Sequence, residues 1–360
     1  MRHARPNRPA AAPARDYEIE VIPGLEAVAI DELRRTLRQH VTIAPALKEG
    51  LISIRYSGQA EALLDLTTVL AVYERQHFAV PRPKALLGQS AFDLLLARIA
   101  AVRALHSPAA FETFRISAAG AESSVLVRLR EELAARTGLE YTAEEGDLLL
   151  RLRRPLDGGD GWEALLRLSP RPLSVRDWRV CNLAGALNAS VAQAMVRLSL
   201  PHPDDVVLNL CCGSATLLIE RLAAAPARIA IGCDNDRQAR DCARENVAAS
   251  GYDAIQIAAW DAGALPTPDA WVDVALADLP FGQLVGSHQQ NITLYRRVLR
   301  EATRVTVGGG LFVALTQDIR LWQRLVADAA ADWTLDRELP IKLPSGSGYL
   351  HPRIFVLRRK

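Results

Sequence analysis

The stretch Val206-Val-Leu-Asn-Leu-Cys-Cys-Gly-Ser-Ala-Thr216 decides the reading of this 360-residue chain. Its first five residues are apolar apart from Asn209, the pattern of a strand buried on both faces. A turn of small residues follows, and then a helix. In a doubly wound sheet this is the carboxyl edge of the first strand, where a ligand comes closest to the backbone. The turn lacks the Gly-x-Gly-x-x-Gly spacing of dinucleotide sites, and taken alone it serves packing as readily as binding.

Working outward, the strand-and-helix grammar continues. Ile229 to Cys233, Ala254 to Ala258, Val272 to Ala277 and Leu311 to Leu315 read as further strands, and 236–250, 293–305 and 319–330 as covering helices. Asp234 closes the second strand about 20 residues beyond Gly213, the offset at which an acid accepts hydrogen bonds from a ribose. Asp261 follows the third strand, placed for an adenine amine. The fourth strand runs into Asp278-Leu-Pro-Phe-Gly282. A carboxylate, a rigid proline and an aromatic ring supply what methylation of a base amine needs. Asp278 and a carbonyl at Leu279 or Pro280 accept the amine's hydrogens, and Phe281 stacks on the base.

Composition bounds the rest. Forty-three basic against 41 acidic residues leave a formal charge of +2, so no chain-wide field announces nucleic acid. Locally, residues 151–200 hold eight arginines against four acids, within a stretch broken by Gly158, Gly159, Gly161 and three prolines. Five cysteines without Cys-x-x-Cys pairs suggest neither a disulfide framework nor a zinc site, and a reducing cytoplasm is expected. No apolar run is long enough to cross a bilayer. Upstream, alternation at Tyr17 to Ile22, Leu51 to Tyr56, Phe114 to Ser117 and Asp147 to Leu152 predicts strands. Residues 25–37, 61–71, 91–104 and 123–136 predict helices, giving small α+β layers.

The block Asn209-Leu-Cys-Cys-Gly-Ser-Ala-Thr216, then Gly232-Cys-Asp234, then Asp278-Leu-Pro-Phe-Gly282, resembles the THUMP-containing S-adenosylmethionine-dependent RNA guanine-N2 methyltransferases. Val21-Ile-Pro-Gly-Leu-Glu26 and Arg176-Asp-Trp-Arg179 resemble that family's ferredoxin-like start and pre-catalytic linker. The resemblance implies a Rossmann-like class I methyltransferase domain, α/β with a mixed sheet and an antiparallel last strand at His351 to Leu357. It implies an α+β ferredoxin-like/THUMP region before it. The expected division is a basic tail at 1–16, an RNA-binding region at 17–157, an Arg-rich linker at 158–182 and the methyltransferase domain at 183–360.

The same resemblance implies S-adenosylmethionine as cofactor and tRNA as partner, with rRNA as the alternative and neither metal nor membrane. The chain is expected to be a monomer. Gly213 and Ser214 would line the methionine part of the cofactor, Asp234 its ribose and Asp261 its adenine, and Asn209, Cys211, Ala215, Thr216, Asn235 and Ala262 would also bind it. Asp278 would face both cofactor and base. Asp278, Leu279, Pro280 and Phe281 would hold the guanine, and Arg171, Arg176 and Arg179 would meet RNA. Two residues depart from the family's Asp-Pro-x-Cys-Gly-Ser-Gly-Thr pattern. Asn209 removes a carboxylate that Glu220 could replace, and Ala215 brings a Cβ where glycine is usual. An RNA-binding protein with a silent methyltransferase fold is therefore the rival expectation.

Overall fold

The computed structural model describes residues 13–120, 122–281, 288–346 and 348–360. Most of the basic tail and Gly282 lie outside them. The chain divides into two units. One comprises the residues up to Val21 with Ala29–Leu173, the other Ile22–Val28 with Ser174–Lys360.

The first unit is built on strands β1 (Arg15–Glu20), β2 (Val41–Ile43), β3 (Leu51–Tyr56), β4 (Ala71–Phe78), β5 (Thr113–Ala118), β6 (Glu140–Tyr141), β7 (Leu148–Arg153) and β8 (Trp162–Arg167). They form one sheet in the order β2-β3-β1-β4-β8-β7-β5-β6. Helices α1 (Glu26–Leu37), α2 (Gln89–Arg103) and α3 (Ser124–Thr137) bring Leu33, Leu95, Ile99, Leu129 and Leu133 onto its apolar face. The opposite face carries charge. Arg153 bonds Glu18 and Glu163, Arg151 bonds Glu20, and Arg15 bonds Glu74. Those carboxylates are taken from water only because each is paired.

Two expectations fail here. The stretch read as a linker at 158–182 contains β8, paired antiparallel to β4 and β7. Its arginines are what hid it: Arg167 is buried, capping the carbonyls of Ser169, Gly146 and Asp147 rather than facing solvent. The helix expected at 61–71 is a 3-10 turn over Ala60–Leu63 that ends well before β4. The backbone N–H groups of Thr67 and Thr68 donate instead to the buried carboxylate of Glu32, at 2.9 and 2.8 Å, so they cannot serve a helix.

The second unit contains α4 (Ala189–Leu198), β9 (Val206–Leu210), α5 (Thr216–Ala224), β10 (Ile229–Cys233), α6 (Arg237–Ser250), β11 (Ile255–Ala258), β12 (Val272–Asp278), α7 (His288–Val305), β13 (Thr306–Thr316), α8 (Ile319–Asp328), β14 (Trp333–Pro340), a small hairpin of β15 (Leu343–Ser345) and β16 (Gly348–Leu350), and β17 (Arg353–Arg359). The sheet order is β11-β10-β9-β12-β13-β17-β14, with the first five strands parallel. β17 is antiparallel to both β13 and β14, as the resemblance implies for the last strand. β14 was not legible because an edge strand with one wet face carries mostly exposed polar residues. Under the sheet, Trp322 is enclosed edge-on by Tyr295, Phe312 and Phe355, which fixes α7 and α8 against β13 and β17. The Pro23-Gly24 turn groups with this unit, its Pro23 carbonyl accepting from Lys342 N–H at 3.0 Å. No helix among the described residues is long and apolar enough to cross a membrane.

Candidate active site

The chain reverses between β9 and α5 through three residues of positive φ: Cys211 at 53°, Gly213 at 52° and Ala215 at 64°. Left-handed residues in close succession turn neighbouring N–H groups to one side, forming a concavity suited to an anion. Gly213 N–H donates to Asp234 at 3.0 Å, and the other oxygen of Asp234 accepts from Asp236 N–H at 3.0 Å. The N–H groups of Ser214, Thr216, Leu217 and Leu218 take no partner among the described residues, which leaves them for a ligand. A Cβ built at Gly213 meets nothing within 4 Å, so the loop borders open space there. At Gly232, by contrast, a Cβ would stand 2.8 Å from Leu218 Cδ1 and 3.0 Å from Cys212 Cβ; this glycine lets the loop lie flat on β10.

A second layer braces that loop, and sequence reasoning missed it. Asn246 of α6 is fully buried. Its Oδ1 accepts from Val180 and Cys181 N–H, while its Nδ2 donates to the carbonyls of Cys181 and Ser214, at 2.9 to 3.1 Å. Arg179 donates to Leu187 O at 2.8 Å and to Thr216 Oγ1 at 3.1 Å. Arg176 clamps Glu220 through two nitrogens, at 2.8 and 3.2 Å, with the Glu220 side chain only 2% exposed. Neither arginine is therefore presented to RNA as the sequence reading expected, and Glu220 has spent its charge on Arg176 rather than on a cofactor. Burial alone makes an unpaired charge so costly that both ends are committed. Of the three arginines expected to meet RNA, only Arg171 is exposed. Cys181 and Cys242 form a disulfide, where the sequence reading expected no disulfide framework and a reducing cytoplasm. They lie 61 residues apart in sequence, and the pairing is set by α6 packing against the segment before α4, which no spacing rule reveals.

β12 delivers the rest of the site. Ala277 pairs with Leu210, which puts Asp278 level with Cys211, about 4.8 Å across. The Asp278 carboxylate takes no hydrogen bond among the described residues and is only partly in contact with solvent. Burial, which penalises the charged form, pushes it up to about 7. Leu279 N–H joins the ladder to Leu315 O at 3.0 Å, but its own carbonyl takes no partner among the described residues. The carbonyl of Pro280 is different: Tyr295 OH donates to it at 2.6 Å and Asn291 Nδ2 at 3.0 Å. Of the two carbonyls considered from sequence, Leu279's is the one left to accept from a substrate. Tyr295 OH also contacts Thr316 Oγ1 at 2.8 Å, fixing the Pro280 turn to β13. Phe281 is half-buried at the rim.

Asp261 accepts from Gly263 N–H at 2.8 Å and from Arg297 at 2.5 Å, which hold its carboxyl below the usual range. Its partner Arg297 on α7 carried no sequence signal. Asn235 is exposed, and Ala262 is buried beside Asp261. Asn209 is 1% exposed; its Nδ2 donates to Leu210 O and Leu276 O, and its Oδ1 has no partner among the described residues. Burial pushes Cys211 and Cys212 thiols well up and Cys233 to about 12, so none is a thiolate near neutrality.

A family model described as UPF0020, RMKL-like, methyltransferase domain, matches residues 176–339. A tRNA (guanine(6)-N(2))-methyltransferase THUMP3 of Mus musculus is 30% identical over 189 residues, 48% of this chain and 36% of that protein. A tRNA (guanine(6)-N2)-methyltransferase of Thermus thermophilus is 32% identical over 202 residues, 55% of this chain and 58% of that protein. The matches thus span about a third to three-fifths of these relatives' lengths. Among solved structures, TrmN from Thermus thermophilus superposes with a TM-score of 0.71 at 25% identity, covering 96% of this chain and 99% of its own. SMU.472, described as a putative methyltransferase complexed with SAH, superposes with 0.65 at 15% identity over 95% and 97%, a likeness of fold. Together with the order and direction of the seven strands, these matches show that the second unit has the class I methyltransferase fold and that residues 176–339 are similar to the RMKL-like methyltransferase domain of UPF0020.

Proposed function

We propose that this chain methylates the N2 amine of a guanine in tRNA, with S-adenosylmethionine as donor. The observation that carries the reading is Asp278: a carboxylate held at the carboxyl edge of the sheet, beside the 211–216 loop, with no hydrogen-bond partner among the described residues. The names of the relatives support the substrate. The loop fits the cofactor, because Gly213 opens on empty space and the N–H groups at the start of α5 suit a carboxylate. Asp234 has lone pairs left for ribose hydroxyls, and Asp261 for an adenine amine.

When bound, S-adenosylmethionine supplies an electrophilic sulfonium methyl. A guanine amine is a poor nucleophile, because its lone pair is spread into the ring. Asp278 and the Leu279 carbonyl would each accept one of its hydrogens and turn the nitrogen toward the methyl. These bonds strengthen as the nitrogen gains positive charge, which is transition-state stabilisation. Asp278 Oδ, titrating near neutrality, is also suited to take the proton that the methylated amine must lose. The first unit would hold the RNA, in keeping with the THUMP reading of residues 17–157.

Incubating the full chain with labelled donor and tRNA bearing guanine at position 6, then resolving the nucleosides by mass spectrometry, tests this. N2-methylguanosine is the expected product; methylation of another base, or none with millimolar donor, overturns the proposal.

A further inference from the structure

A site that only gripped the amine would not tell guanine from other bases that carry one. Guanine presents a ring N1–H beside its N2 amine, whereas adenine and cytosine present a bare ring nitrogen beside theirs. A hydrogen-bond acceptor next to Asp278 would therefore select guanine, and a donor would reject it.

β13 places such an acceptor. Asp278 pairs with Leu315, so Gln317 lies one strand over and two residues further toward the carboxyl edge, level with Pro280. One strand spacing and two residue rises put the two Cα atoms about 8 Å apart. The faces also agree. Ala277 and Leu279 belong to the apolar cluster that contains Tyr295, and Thr316 turns its Oγ1 to the Tyr295 hydroxyl. Alternation sends Asp278 and Gln317 to the opposite face together. The backbone at Gln317 is fixed on both sides, since Thr316 Oγ1 also accepts from Asp318 N–H at 3.0 Å. Finally, Gln317 Oε1 is buried with no hydrogen-bond partner among the described residues. A buried amide oxygen left unpaired is costly, and it marks a place where a ligand completes the bonding.

We propose that Gln317 is a specificity residue whose Oε1 accepts the N1–H of the target guanine while Asp278 and Leu279 O hold the amine. This rests on the guanine-N2 reading above. A purine with the same amine but no N1–H separates the two. Two tRNAs are compared, with guanine or with 2-aminopurine at the target position. The wild-type chain, Gln317→Met, which keeps the volume, and Gln317→Glu, which keeps the acceptor, are each assayed for kcat/KM, with calorimetric cofactor affinity as the check on folding. Expected is a loss of about 10- to 100-fold for Gln317→Met on guanine. Its activity on 2-aminopurine should stay within about threefold, and Gln317→Glu should retain the guanine preference. Equal losses on both bases, or no loss on guanine, overturn the assignment while leaving guanine-N2 methylation intact. A wild-type chain that methylates neither RNA overturns the underlying reading as well.

Discussion

Replacing Asp278 with Asn should make the free protein more stable in alkali while removing methyl transfer. The carboxyl moves from 3.8 to about 7 on folding. Between those values the folded chain holds a proton that the unfolded chain has released. Stability therefore falls as pH rises through that window, and the loss is complete above about 7. A shift of about three units corresponds to about 4 kcal/mol for a wholly desolvated group. Asp278 keeps some contact with solvent, so about half of that is the expected penalty. Asn has the same shape and no charge to bury. Urea titrations at pH 4.5 and pH 8 should show Asp278→Asn close to wild type at the lower pH and about 2 kcal/mol more stable at the higher. In the wild-type chain kcat/KM should rise through about pH 7, because only the ionised carboxyl can take up the proton that the methylated amine loses. If the two proteins differ by the same amount at both pH values, or the variant is the weaker at pH 8, Asp278 is paired in the fold and not reserved for substrate.

Arg176→Ala would strand the buried Glu220 carboxylate and should cost about 3–5 kcal/mol in urea unfolding, while the salt dependence of RNA binding stays as in wild type. A stable variant with a shallower salt slope would restore Arg176 to the RNA surface. Breaking the Cys181–Cys242 link by the double serine variant should cost up to roughly 4 kcal/mol, from the 61-residue separation it closes, and abolish any effect of reductant on stability. A wild-type midpoint unchanged by dithiothreitol would sink that expectation. Tyr295→Phe removes the donor to Pro280 O and the contact to Thr316; about 1–3 kcal/mol of stability should go, with kcat falling more than KM rises. Loss confined to KM would mean that the turn is held by Asn291 alone.

The parallel strands were legible because burial on both faces writes itself as largely apolar runs, and three of the five lead into an acid at the carboxyl edge: Asp234, Asp261 and Asp278. What stayed hidden has the opposite character. β4 and β8 bury charge on one face, Glu74 and Glu163 among arginines, so their sequences lose the polar–apolar alternation that signals a strand. The same physics explains the arginine-rich stretch. Arg151, Arg153, Arg167, Arg176 and Arg179 each end on a carboxylate or a carbonyl inside their own unit. A local excess of positive charge in a sequence counts side chains, not accessible guanidinium groups, and a paired guanidinium has no field left to offer a phosphate.

Ala215 shows how a site survives a residue that its local conformation disfavours. A left-handed alanine costs roughly 1–2 kcal/mol relative to the right-handed region. The strain persists because the neighbours hold the loop from several sides. Ala215 N–H donates to Cys212 O at 2.9 Å, its own carbonyl accepts from Ile219 N–H, Gly213 is pinned by Asp234, and Ser214 and Thr216 are pinned by Asn246 and Arg179. The Ala215 methyl is itself fully buried, so the Cβ that strains the backbone is also packed. The braces at Asn246, Arg176 and Arg179 thus have a reason to be buried and fully bonded: they keep the 211–216 turn in the one shape that aims its N–H groups into the open space beside Gly213. Without that second layer the left-handed turn would be free to relax toward right-handed backbone and lose that aim.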